Sequence, residues 1–106
     1  MVGFSTGNSI AKLANAITDT PVLMAVKSQI RNQKPVVLAI STNDGLGMNA
    51  KNIGVLLNSK HYFFIPFGQD NPIDKKNSLV AKLEHMIPTL EKALEGVQHQ
   101  PMLMQY

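Results

Sequence analysis

The run Val36-Val37-Leu38-Ala39-Ile40 is apolar throughout, with no polar residue alternating along it. A strand wetted on one face alternates, so this run predicts a strand covered on both faces, at the centre of a parallel sheet. A second strand is expected at Tyr62 to Pro66, and Val2-Gly3-Phe4 forms a short apolar lead-in at the start.

Helical patterns lie between these segments. Ile10, Leu13, Ala14 and Ile17 recur at i, i+3, i+4 and i+7, with Lys12, Asn15 and Thr18 opposite. Thr20 followed by Pro21 reads as an N-cap and first helical residue, opening a helix to about Arg31 whose buried stripe is Leu23, Val26 and Ile30. Asn49 to Asn58 carries Ile53, Leu56 and Leu57 at helical spacing. Phe67 to Asn77, rich in Gly, Pro, Asp and Asn, reads as a loop, after which Leu79, Leu83, Met86, Leu90 and Leu94 mark a final helix capped by Asn77 or Ser78. Pro88 should kink that helix and Gly96 should end it. Residues 97–106 read as an extended tail suited to lying along another surface.

The order β-α-α-β-α-β favours an α/β fold, a three-layer doubly wound parallel sheet of the Rossmann or flavodoxin-like kind. At 106 residues and 44% hydrophobic, the chain can build one core and leaves little room for a second domain. Association into a homo-oligomer is expected of so small a core.

Ten Lys and Arg against seven Asp and Glu give a net charge of +3, but only Lys75 and Lys76 are adjacent and no aromatic residues interleave the cations. That distribution argues against nucleic-acid binding. No run approaches the roughly 20 apolar residues of a membrane span, so no membrane partner and a cytoplasmic location are expected. The absence of Cys removes disulfides, thiol catalysis and thiolate metal sites, and the six Met read as packing.

Ligands of open α/β sheets sit beyond the carboxyl ends of the strands, which places the loops after Phe4, Ile40 and Pro66 on one edge. Ser5-Thr6-Gly7-Asn8-Ser9 runs into a helix start, where it either caps the helix or offers backbone N–H groups to an anion. Gly7 suits close approach to a ligand or an ordinary tight turn. Ser41-Thr42-Asn43-Asp44-Gly45 divides in the same way between turn and site. His61, His85 and His99 are isolated in sequence and lack metal-ligand spacing, and no Ser-His-Asp set, P-loop or dinucleotide fingerprint is present.

Thr6-Gly7-Asn8-Ser9-Ile10-Ala11-Lys12-Leu13-Ala14-Asn15 resembles the T-A-N-T-I-A-K-x-A segment of flavin-dependent cysteine decarboxylase-like proteins. The similarity continues into Pro35-Val36-Val37-Leu38-Ala39 and Asn43, where those proteins have a P-x-M-N motif that here reads Ile40-Ser41-Thr42-Asn43. Within that flavoprotein-like superfamily, the runs Asp19 to Ala25, Ser41 to Gly47 and Pro66 to Asp70 resemble the B-chain family of dipicolinate synthases.

The resemblance implies the carboxy-terminal portion of a flavoprotein-like domain, incomplete at its amino-terminal side and not autonomous as an enzyme. It implies that an A and a B subunit of dipicolinate synthase together oxidise a 4-hydroxytetrahydrodipicolinate-type intermediate of the lysine pathway to dipicolinate during sporulation. It places NAD(P) on the partner A subunit and FMN, if any, on this family. Thr6, Gly7, Asn8 and Ser9 would then border the cofactor, and Ser41, Thr42 and Asn43 a small dicarboxylate substrate. No catalytic acid or base is assigned, and no metal site is expected. The competing readings are an FMN-dependent decarboxylase-type flavoprotein and a non-catalytic assembly module.

Overall fold

A computed structural model describes residues 2–105, so Tyr106, the last residue of the expected tail, lies outside it. Strand β2 (Val36–Thr42) is central, with β1 (Val2–Ser5) parallel on one side and β3 (Tyr62–Phe64) parallel to it, in registers Gly3↔Leu38 and Val37↔Phe63. Alternate β2 side chains enter different layers. Val36, Leu38 and Ile40 join Ile10, Val26, Ile53, Leu56 and Phe64, whereas Val37 and Ala39 join Ile65, Ala81 and Ala93. The apolar run is therefore covered on both faces, and each of its four larger side chains gains about 1.5–3 kcal/mol by leaving water.

Helices α1 (Gly7–Ala14), α2 (Pro21–Arg31) and α3 (Ala50–Leu57) cover the first face, and α4 (Met86–Leu94) covers the second. Thr20 caps α2 as its sequence predicts, its Oγ1 accepting from the Leu23 amide at 3.2 Å with Pro21 in the first turn. Three helices end in the same paired-bond closure. Ile17 and Ala16 N–H groups return to Lys12 and Leu13, Lys34 and Gln33 to Gln29 and Ile30, and Val97 and Gly96 to Lys92 and Ala93. Only the last places Gly in the left-handed position; Ala16 and Gln33 hold φ of 57° there.

The segment after Pro66 departs from expectation. Phe67–Asn71 is strand β4 and Lys75–Ala81 is strand β5, joined as an antiparallel hairpin, and β5 pairs antiparallel with the end of β2 through Ser41↔Val80 and Thr42↔Leu79. The sheet is thus mixed, with a parallel centre and an antiparallel extension beyond the short β3. Asn71-Pro72-Ile73-Asp74 makes the hairpin turn, with Asn71 Oδ1 accepting from the Ile73 and Asp74 amides. Leu79 consequently belongs to a strand, and Asn77 and Ser78 cap nothing. The helix begins only at Met86, after a single 3-10 turn at Leu83–His85. Pro88 falls in its first turn, where a missing N–H costs no helical bond, so it does not divide the helix. Leu94, expected on the packed face, is 79% exposed; Thr89 and Ala93 are buried instead.

The tail lies along this chain's own sheet. Phe67 donates to the Met102 carbonyl and Met104 to the Phe67 carbonyl, both at 2.9 Å. Gln98 imitates a strand at the edge of β3, its Oε1 accepting from the Phe64 N–H at 2.8 Å and its Nε2 donating to the Phe64 carbonyl at 2.6 Å. Both devices occupy edges that would otherwise invite pairing with another chain.

Candidate functional site

The two polar loops singled out by sequence meet. Thr6, Gly7, Ser41, Thr42, Asn43 and Asp44 line one open pocket of about 370 Å³ beyond the ends of β1 and β2. Asn8 faces an adjoining hollow with Gly7, Asp44, Asn49, Lys51 and Asn52, and Ser9 lines neither. The third expected loop does not join them, because the chain after Pro66 enters β4 at once and Phe67 is buried.

Thr6 occupies the N-cap of α1 in an extended conformation but makes no side-chain capping bond. Its hydroxyl lies on an exposed residue at the pocket rim, as do Ser41 and Asn43. Thr42 is buried and donates to Asp44 Oδ1 at 2.6 Å. The Asn49 amide donates at 3.0 Å both to the same Oδ1 and to the Gly7 carbonyl, and Asn52 donates to Asn49 Oδ1 at 2.7 Å. A chain of hydrogen bonds therefore runs from α3 to both loops. Among the described residues no buried side-chain polar atom lacks a partner, which is what such a network requires if it is to rigidify rather than destabilise.

Gly7 is accounted for by this network. A Cβ there would lie 2.8 Å from Asn49 Nδ2, 2.9 Å from Thr42 Oγ1 and 3.2 Å from Asp44 Oδ1. The space is taken by the protein's own polar groups. The hydrogen bonds from Thr42 and Asn49 hold the Asp44 carboxyl below its usual range, outweighing its partial desolvation. The pocket thus combines exposed hydroxyl and amide groups with one ionised carboxylate.

Asn49 and Asn52 are residues of this network that the sequence reading passes over, and Asp44, which it leaves open between turn and site, lines the pocket. Asn49, Asn52, Ile53 and Leu56 form an i, i+3, i+4, i+7 stripe and all four are buried. Two polar residues on such a stripe are a sign, visible in the sequence, of an internal network. His85 and His99, separate in sequence, have rings 5.6 Å apart between centroids. Among the described residues no group of three or more His, Cys, Asp or Glu could hold a metal ion, and no helix is long and apolar enough to cross a membrane.

No family model matches the chain. It is 59% identical over 100 residues to the dipicolinate synthase B subunit of Bacillus subtilis (strain 168), an alignment that takes in 94% of this chain and 50% of that protein. Nearly the whole of this chain is thus similar to a dipicolinate synthase B subunit. The crystal structure of the dipicolinate synthase B subunit from Bacillus halodurans C superposes with a TM-score of 0.97 at 57% identity, covering 99% of this chain and 54% of that one. The chain spans about half the length of the B subunits it matches, and its mixed sheet with flanking helices has their flavoprotein-like, Rossmann-type architecture.

Proposed function

We propose that this chain forms the carboxy-terminal half of a dipicolinate synthase B subunit, which works with an A subunit in the cytoplasm of sporulating cells. The reaction is oxidation of a 4-hydroxytetrahydrodipicolinate-type compound to dipicolinate: the 4-hydroxyl leaves as water, and a hydride and a proton leave, with NAD(P) on the A subunit serving as hydride acceptor. The observation that carries this reading is the 59% identity across 94% of the chain. The pocket supports it, because Thr6, Ser41 and Asn43 set hydroxyl and amide groups around an opening suited to a small polar molecule.

The same rim fits one hydrogen-bonding edge of a flavin, with Thr6 and Gly7 bordering it and Asn8 in the adjoining hollow, while Ser9 lines neither. Bound FMN would supply reversible two-electron chemistry. Gly7 offers no open cradle for it, since Asn49 and Thr42 fill that space. The outer stripe of Leu83, Ile87 and Leu94 on and beside α4, all substantially exposed, supports assembly with further protein surface.

Full-length B subunit containing this chain, mixed with its A partner, should raise the rate of dipicolinate formation well above that of the isolated A subunit. No increase would sink the oxidative role. A visible flavin spectrum together with decarboxylation would favour the decarboxylase-type reading instead.

A further inference from the structure

Asp44 is held in an unusual way for a residue with a purely structural task. Its backbone closes the loop, the carbonyl accepting from Gly47 and Asn49 amides at 2.9 and 3.2 Å, which any residue could do. Its side chain receives two neutral donors, Thr42 and Asn49, and both go to Oδ1. An asparagine carbonyl would serve those donors equally well, so the network by itself does not call for a charge. Among the described residues the one ion pair is Lys12 with Asp19, and Lys51, which lines the adjoining hollow, makes no salt bridge to Asp44. Oδ2 has no hydrogen-bond partner among them and is not a buried unsatisfied atom, so it keeps contact with solvent, and Asp44 lines both the pocket it shares with Thr6, Ser41 and Asn43 and the adjoining hollow.

We propose that Asp44 is the ligand-facing acceptor of this pocket and that it discriminates a hydroxylated dicarboxylate from the aromatic dicarboxylate formed from it. The inference rests on the reading of the pocket given under Proposed function. A carboxylate fixed through one oxygen presents the other to an O–H donor on the ligand. The hydroxylated reactant carries that donor. Dipicolinate has lost it as water, retains two carboxylates and has no donor left at neutral pH, so Asp44 meets it only as a like charge. The residue therefore favours reactant over product and promotes release once the hydroxyl has gone. Thr42 and Asn49 are positioning residues, acting on the ligand only through Oδ1 of Asp44.

The test is Asp44→Asn in the full B subunit, a change that keeps the acceptor for Thr42 and Asn49 and replaces Oδ2 by a neutral amide. Calorimetric titration with dipicolinate should show binding tightened by about three- to tenfold, the size expected when one partly solvated like charge is removed. In the assembled enzyme the hydroxylated substrate, itself a dicarboxylate, gains the same relief of like charge, about three- to tenfold, but loses a hydrogen bond to a charged group worth about ten- to hundredfold, so its KM should rise by about three- to tenfold net. Opposite movements for the two ligands are the signature, since a loosened loop would weaken both. Unchanged affinities, changes of the same sign, or no dipicolinate binding to either protein would overturn the assignment. Activity of the wild-type complex is read separately, so loss of the synthase reading itself would show as absent turnover. Thr42→Val, which removes one donor from Oδ1 and leaves the charge, should shift both ligands less than Asp44→Asn; an equal or larger shift would count against the assigned roles.

Discussion

Replacing Gly7 by alanine sets two effects of opposite sign against each other. Alanine in the first turn of α1 would favour the helix by about 0.5–1 kcal/mol through reduced backbone entropy of the unfolded chain. Its Cβ would meet Asn49 Nδ2 at 2.8 Å and Thr42 Oγ1 at 2.9 Å, both too close for unbonded atoms. Asn49 must then move and release the Gly7 carbonyl and Asp44 Oδ1. Each bond is worth about 0.5–1.5 kcal/mol, and leaving a buried amide group unpaired costs about 1–3 kcal/mol. Asn49 is only 6% exposed, so water cannot readily replace the lost partners. The clash therefore wins, and Gly7→Ala should lower stability by about 1–3 kcal/mol net, a fall in Tm of roughly 5–20 °C for a domain of this size. Thermal denaturation of the two proteins measures it. The Asn49→Ala background supplies the control, because with the amide absent the Gly7→Ala cost should shrink by about 1 kcal/mol or more. A Gly7→Ala protein as stable as the parent, or an undiminished cost in the Asn49→Ala background, would refute the packing argument.

Four further outcomes follow from the geometry. Because the Asp44 carboxyl is depressed in the folded state, its contribution to stability is present above the unfolded value near 3.8 and is lost as pH falls through the lower folded value; denaturation midpoints across that acid range should show this loss in the parent and not in Asp44→Asn. Gln98→Ala removes both bonds to Phe64 and should cost about 1–2 kcal/mol in chemical denaturation, with faster amide exchange at Phe64. Gly68→Ala would place a Cβ 2.5 Å from the Met104 carbonyl oxygen, so the tail should detach and the Phe67 and Met104 amides should exchange faster while the core amides do not. Gln33→Gly relieves a left-handed residue at the end of α2 and should raise stability by about 0.5–1 kcal/mol, read as a higher denaturation midpoint.

The layers of the fold are legible where a single physical rule governs the residues. Five apolar residues in β2 demand two covered faces, and Thr20-Pro21 fixes the start of α2 through its cap. The hairpin is not legible by the same means. Leu79, Leu83, Met86 and Leu90 fall near helical spacing by accident of two elements meeting, and the burial of Ser78, Leu79 and Ala81 follows a strand whose neighbours on both edges come from other segments. Local periodicity cannot register those neighbours. The Asn-Pro-Ile-Asp turn is the available clue, since Asn before Pro initiates a turn that can join two strands as readily as it can occupy a loop.

The candidate site shows a sharper limit, because shared motif letters here carry altered chemistry. The decarboxylase-like pattern has alanine where this chain has Gly7 and methionine where it has Thr42. Neither departure is isolated from the other. Thr42 supplies the hydroxyl that pins Asp44 Oδ1 at 2.6 Å, and Gly7 leaves the space in which Asn49 reaches the same oxygen. An alanine at position 7 would push Asn49 away, and a methionine at position 42 would remove the donor and crowd the carboxylate. The two differences thus act together to hold one negative charge at the pocket wall, where the related motif has apolar side chains. Resemblance to the decarboxylase-like motif along these loops accordingly locates the pocket, while the selectivity proposed for Asp44 rests on residues that this motif does not share. Restoring the motif by Gly7→Ala with Thr42→Met should remove both donors from Asp44 Oδ1, and the combined effect on dipicolinate affinity should differ from the sum of the single effects, because each change alone leaves the other donor in place on the same oxygen.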